Sequence, residues 1–131
     1  MRRSILNLSR FLFYPKPRVD ETQLKCRFKG RWVVITGASR GIGAALAKRL
    51  MRAGANLYLV ARSETELQDL CNEAQTLNCK AICCALDLRD RSALKLLCHE
   101  LEQLPQVDYL FCNAGKSICR KIADATERLH D

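Results

Sequence analysis

Long apolar runs are missing from this 131-residue chain. Nothing approaches the ~20 consecutive apolar residues that cross a bilayer, which excludes a transmembrane helix. Paired-knuckle cysteines are missing too: the eight cysteines include no Cys-x-x-Cys pair, and Cys79, Cys83 and Cys84 lack a second ligand pair, so no metal site is expected. Cys26, Cys71, Cys83, Cys98 and Cys112 fall in segments that read as strands, helices or their approaches, where cysteine behaves as a small buried hydrophobe. They are expected to be reduced structural thiols in an intracellular, reducing compartment, cytoplasmic in the first instance, with mitochondrial or membrane-associated placement left open. Histidine is scarce, and neither His99 nor His130 has a ligand pattern around it.

Acids are absent from the first nineteen residues. Residues 1–31 hold nine Lys/Arg against two acids, whereas residues 32–131 hold thirteen against twelve, so the net charge of +8 belongs almost wholly to an N-terminal arm. No basic surface is left on the remainder to take nucleic acid, and none is expected as a partner. The arm, residues 1–30, is broken by Pro15-Lys16-Pro17. Within it Ile5, Leu8 and Leu12 share one helical face, and three readings stay open: a plain extension packed on the domain, a membrane-surface helix making peripheral contact, or a presequence. Asn7, Ser9 and Arg10 interrupt the apolar residues and argue against a secretory signal.

From Arg31 onward the pattern is regular. Trp32-Val33-Val34-Ile35-Thr36 reads as a buried strand, a glycine-rich turn follows, and Ile42, Ala45, Leu46 and Leu50 recur at helical spacing. Leu57-Tyr58-Leu59-Val60 reads as a second strand. Ser63 with Glu66 has the form of a capping box, opening a helix whose stripe is Leu67, Leu70, Cys71, Ala74 and Leu77. A third strand is expected at about residues 81–86. Asp90 caps a helix with Leu94, Leu97, Leu101 and Leu104 on its apolar face, and Tyr109-Leu110-Phe111-Cys112 is a fourth strand. Strands alternating with amphipathic helices predict an α/β fold with a doubly wound parallel sheet, of Rossmann type and truncated after about four strands. Trp32 and Tyr109 are read as packing residues. The fourth strand is expected to be a liability, because its open edge invites self-association.

The first strand's carboxyl end is therefore the place for chemistry. Thr36-Gly37-Ala38-Ser39-Arg40-Gly41-Ile42-Gly43 joins the first strand to the first helix, the context that a phosphate-binding loop requires. Gly37 suits a turn closed to other residues, while Gly41 and Gly43 allow backbone N–H groups and the positive helix start to approach a pyrophosphate.

In this stretch the sequence resembles the short-chain dehydrogenase/reductase family, whose glycine motif reads T-G-x-x-x-G-x-G. The resemblance covers residues 31–131 and extends to Asp87-Leu88 after the third strand and Asn113-Ala114-Gly115 after the fourth. It implies an oxidoreductase that transfers hydride between a nicotinamide cofactor and a small carbonyl or alcohol substrate. It also implies that Asp87 accepts from the adenine amino group, that Leu88 touches the same ring, and that Asn113, Ala114 and Gly115 pass beneath the ribose. Ala61 stands where NAD-preferring members carry an acid, and Arg62 and Ser63 follow it. With Ser39, Arg40 and Ile42 in the glycine loop, these residues point to NADP(H) as the cofactor.

The family's Tyr-x-x-x-Lys is absent. Tyr14, Tyr58 and Tyr109 are followed four residues later by Arg18, Arg62 and Asn113, so no catalytic residue is assigned, and the chain reads as the cofactor-binding half of such an enzyme. Two other classes fit part of the pattern: a catalytically dead nucleotide-binding regulatory module, and an adaptor built on the basic arm, which would not need the glycine loop.

Overall fold

Alternation along β1 (Trp32–Thr36) and β2 (Asn56–Ala61) builds two layers. Val33, Ile35, Leu57 and Leu59 belong to one core cluster, Val34, Tyr58 and Val60 to the other, and all seven are at most 2% exposed. Successive strand residues point to opposite faces, so strands this apolar must be covered on both sides. The structure is a computed structural model that describes residues 20–115. The expectations for Ile5, Leu8 and Leu12 in the arm, and for His130, lie outside the described residues.

Before β1 stands α1 (Glu21–Phe28), capped by Asp20, whose carboxylate accepts from the N–H groups of Thr22 and Gln23. After β1 come α2 (Gly41–Arg52), β2, α3 (Glu64–Thr76), β3 (Ala81–Ala85), α4 (Arg91–Glu102) and β4 (Tyr109–Cys112). The sheet order is β3-β2-β1-β4 and every pairing is parallel. Helices α1, α2 and α3 supply Phe28, Ala47, Leu50, Met51, Leu67, Leu70 and Ala74 to the first cluster. Leu97 of α4 is buried in the second, with Leu101 and Leu104 packed against it. The doubly wound α/β sheet expected from the sequence is therefore present, four strands long.

Three features bear on the sequence reading. First, residues 20–28 of the expected arm pack on the domain, one of the readings left open above: Phe28 is buried, Leu24 packs beside it, and the Phe28 and Tyr109 rings lie 4.8 Å apart at 50°. Burying one such ring is worth ~1.5–3 kcal/mol. Second, the buried stripe of α2 is Gly43, Ala47, Leu50 and Met51, whereas Ile42 is 79% exposed. The stripe is rotated because the first turn of α2 faces the glycine loop rather than the sheet. Third, Cys71 of α3 and Cys83 of β3 form a disulfide, with Cα atoms 6.6 Å apart. This corrects the expectation of reduced thiols for that pair: the helix stripe and the edge strand bring a buried and a half-buried cysteine face to face across a short helix-to-strand connection. Cys26, Cys79, Cys84, Cys98 and Cys112 are free.

Two polar contacts fix the frame. Asp108 accepts from Trp32 N–H at 2.9 Å and from Arg31 at 3.0 Å, pinning the start of β4 beside β1. Tyr58 donates its hydroxyl to Glu100, tying β2 to α4. Burial, with the Glu100 carboxylate beside it, keeps that phenol protonated well above the ordinary range. Among the described residues no helix is long and apolar enough to cross a membrane, and no group of three or more His, Cys, Asp or Glu could hold a metal ion.

Candidate cofactor site

Because β2 and β4 lie on opposite sides of β1, strand order reverses at β1, and the carboxyl ends of β1 and β4 flank the crevice where doubly wound sheets bind ligands. Thr36 and Cys112 are register partners there, so the glycine loop and the Asn113 segment leave the sheet side by side.

Those two segments interlock. The Thr36 hydroxyl donates to the Phe111 carbonyl at 3.4 Å and accepts from the N–H groups of Asn113 and Ala114 at 3.1 Å each. The Asn113 amide donates to the Gly37 carbonyl at 3.2 Å, and Ala38 N–H donates to the Val60 carbonyl at 3.2 Å. Gly37 has φ +66°, and a Cβ there would lie 2.9 Å from Ala114 Cα. At Gly43 a Cβ would meet the Gly37 carbonyl oxygen at 2.2 Å and the Asn113 amide nitrogen at 2.7 Å. Gly37, Gly43, Asn113 and Ala114 are thus one packed unit, and Gly43 is there to let the first turn of α2 close on the loop. Ser39, Arg40, Gly41 and Ile42 form the rim above it, with Gly115 exposed beside it.

At that rim α2 begins with Arg40 at its N-cap position, no side chain bonds the first amides, and no acid stands in the first turn. The first N–H groups of a helix have no partner within the helix and carry the positive end of its dipole. Left uncapped on a glycine turn, they suit a phosphate.

The ends of β2 and β3 are built from charges. Arg62 follows the buried Ala61, and among the described residues it makes no ion pair. Arg40 is 2.9 Å from Glu66, whose other carboxylate oxygen accepts from the Ser63 hydroxyl. The expected capping box is not formed, because Ser63 gives its hydroxyl to the Glu66 side chain instead of accepting from backbone. That hydroxyl first, then the backbone N–H of Glu66 itself, and then Arg40 hold the Glu66 carboxyl below its usual pKa. Asp87 is gripped by Arg89 through both carboxylate oxygens, with Arg89 Nη2 at 2.6 Å, and its pKa is lowered to about 2 by those bonds first and by Arg62 as the weakest contributor. Leu88 packs into the second core cluster. Sequence reasoning assigned no site role to Thr36, Glu66 or Arg89. Thr36 was legible as the first letter of the glycine motif, whereas the other two act through partners that only the fold supplies.

The profile described as short chain dehydrogenase matches residues 31–130. The chain is 38% identical over 104 residues to a fatty acyl-CoA reductase of Acinetobacter baylyi, covering 79% of this chain and 35% of that protein. Among solved structures, a 3-oxoacyl (acyl-carrier-protein) reductase from Agrobacterium tumefaciens with NADP bound superposes with a TM-score of 0.70 at 30% identity, over 88% of this chain and 44% of that one. The L-sorbose reductase of Gluconobacter frateurii, complexed with NADPH and L-sorbose, also gives 0.70, at 26% identity, over 78% and 40%. The chain spans less than half the length of each.

Proposed function

The chain belongs to the short chain dehydrogenase family, and on that premise we propose that it binds NADP(H) as the nucleotide-binding part of an oxidoreductase acting on a small carbonyl or alcohol. The observation that carries the reading is the uncapped start of α2 above a glycine turn locked by Thr36 and Asn113, at the point where strand order reverses. A pyrophosphate would be held by the first amides of α2, and the adenine would lie toward Asp87 and Leu88. The ribose 2′-phosphate would meet Ser39, Arg40, Arg62 and Ser63, while Asn113, Ala114 and Gly115 pass beneath the second ribose. Ala61 supports NADP(H) over NAD(H), since the acid that would bind a 2′-hydroxyl and repel a phosphate is not there. The NADP and NADPH bound in the two similar structures support the same choice.

Bound, the cofactor would supply or accept the hydride. This chain's own residues hold its phosphates and adenosine, and with no Tyr-x-x-x-Lys in the sequence no acid–base step is assigned to them. The test is a fluorescence titration of the chain with NADPH, beside Gly41→Asp. A Cβ at Gly41 meets nothing within 4 Å, but its φ of +55° is left-handed and strains any other residue, so Gly41→Ala, which carries the strain without the charge, is titrated beside Gly41→Asp. Saturable binding that falls by about thirtyfold or more in Gly41→Asp is expected, from lost anion stabilisation at the helix start. Absence of NADPH binding, or equal binding by Gly41→Asp, would overturn the proposal.

A further inference from the structure

Glu66 stands in the first turn of α3, and its carboxylate joins two of the groups assigned above to the 2′-phosphate. One oxygen accepts from Arg40 Nε at 3.2 Å and lies 2.9 Å from Arg40 Nη2, while the other accepts from Ser63. Nε and Nη2 are one edge of the guanidinium fork, the edge that a phosphate would use. Arg40 belongs to the glycine loop and Ser63 to the end of β2, so a single carboxylate bridges both walls of the 2′ position. Its side chain is 36% exposed, against 77% for Arg40.

A phosphate monoester carries ~−1.5 to −2 charge near neutral pH and cannot share that fork with a carboxylate. Either Glu66 releases Arg40, or the phosphate binds without it. A ribose 2′-hydroxyl makes no such demand, being neutral and able to donate to a carboxylate. We propose that Glu66 is a specificity-determining residue that competes with the 2′-phosphate for Arg40 and so moderates the preference for phosphorylated over unphosphorylated adenosine cofactors. The inference rests on the NADP(H) reading above and adds to it a residue that works against that preference.

The experiment titrates the full 131-residue chain, wild type and Glu66→Gln, with adenosine 2′,5′-bisphosphate and with adenosine 5′-phosphate at low ionic strength. Gln keeps the shape and can still accept from Ser63, but it carries no charge to hold Arg40. Glu66→Gln should bind the bisphosphate about fivefold more tightly, the scale of one exposed ion pair, and leave adenosine 5′-phosphate within about twofold. The gain should shrink in high salt and in an Arg40→Ala background. An unchanged ratio of the two ligands, or selective weakening of the bisphosphate, would overturn the competition while leaving the NADP(H) reading in place. A wild-type chain with no preference for the bisphosphate would overturn both.

Discussion

At the carboxyl end of β1 the site is held by part-buried hydrogen bonds between neutral side chains and backbone, whereas at the ends of β2 and β3 it is held by exchangeable side-chain charge. The β1 end has a buried threonine hydroxyl spanning two segments, an asparagine amide on a glycine carbonyl, and a helix turn admitted by the lack of one Cβ. The β2–β3 end has Arg40 on Glu66, Arg89 on Asp87 and an Arg62 with no ion pair among the described residues, with the Arg40 and Arg89 side chains 77% and 81% exposed. Exposed pairs are worth ~0–1 kcal/mol each and rearrange readily, whereas leaving a buried donor without its acceptor costs ~1–3 kcal/mol. On the reading proposed above, the rigid end would fix where a dinucleotide lies and the soft end would select which dinucleotide it is.

The largest blow to that contrast is Gly43→Val. The added carbon meets backbone at 2.2 Å, so the loop and the helix start must separate. Binding of NADPH and NADH alike should fall by about a hundredfold or more, with stability reduced by about 2–4 kcal/mol. Urea unfolding and cofactor titration read the two effects. A variant with normal affinity for both cofactors would show that the loop is not rigid.

Next is reduction of the Cys71–Cys83 bond, which ties α3 to β3. Closing a loop of this length is worth about 3 kcal/mol in the chain-entropy account. Urea midpoints with and without reductant should differ accordingly, and Cys71→Ala should lose the difference. Thr36→Val follows: it keeps the shape and removes the acceptor shared by Asn113 and Ala114, at an expected cost of about 2 kcal/mol. Protection of those two amides from hydrogen exchange should fall with it, while Arg40 and Glu66 stay paired.

A smaller effect comes from pH. The Asp87 pKa is lowered from 3.8 to about 2 through Arg89, so the pair's contribution is complete above about pH 4 and fades as pH falls through 2. NMR titration of the carboxyl should place its midpoint near 2, and Arg89→Ala should return it toward its ordinary value. A midpoint already at the ordinary value in the wild type would contradict the Asp87–Arg89 contact.

The difference between the two ends also explains what could be read without coordinates. Strands such as Trp32–Thr36 and Asn56–Ala61 announce themselves by local composition, and the glycine loop by spacing, because both follow from near neighbours in the chain. The α2 stripe was misphased for a related reason: Ile42 has the apolarity of a core residue, but its place in the first turn leaves it exposed. Asp108, Glu66 and Arg89 lie beyond local pattern. Asp108 meets Arg31 across seventy-seven positions and Glu66 meets Arg40 across twenty-six, and nothing in either neighbourhood encodes its partner. The Cys71–Cys83 bond was obscured because each residue fits its own element, Cys71 in a helix stripe and Cys83 in a strand, without a partner.

The central claim is that the soft end chooses the cofactor. Its most direct test is the ratio of NADPH to NADH affinity in the 131-residue chain and in Arg62→Ala, measured side by side at one ionic strength. Wild type should prefer NADPH by about tenfold or more, and Arg62→Ala should lose most of that preference by weakening NADPH alone, the scale of one charge-assisted contact. Equal affinities in the wild type, or an Arg62→Ala variant that loses NADH as much as NADPH, would contradict the account.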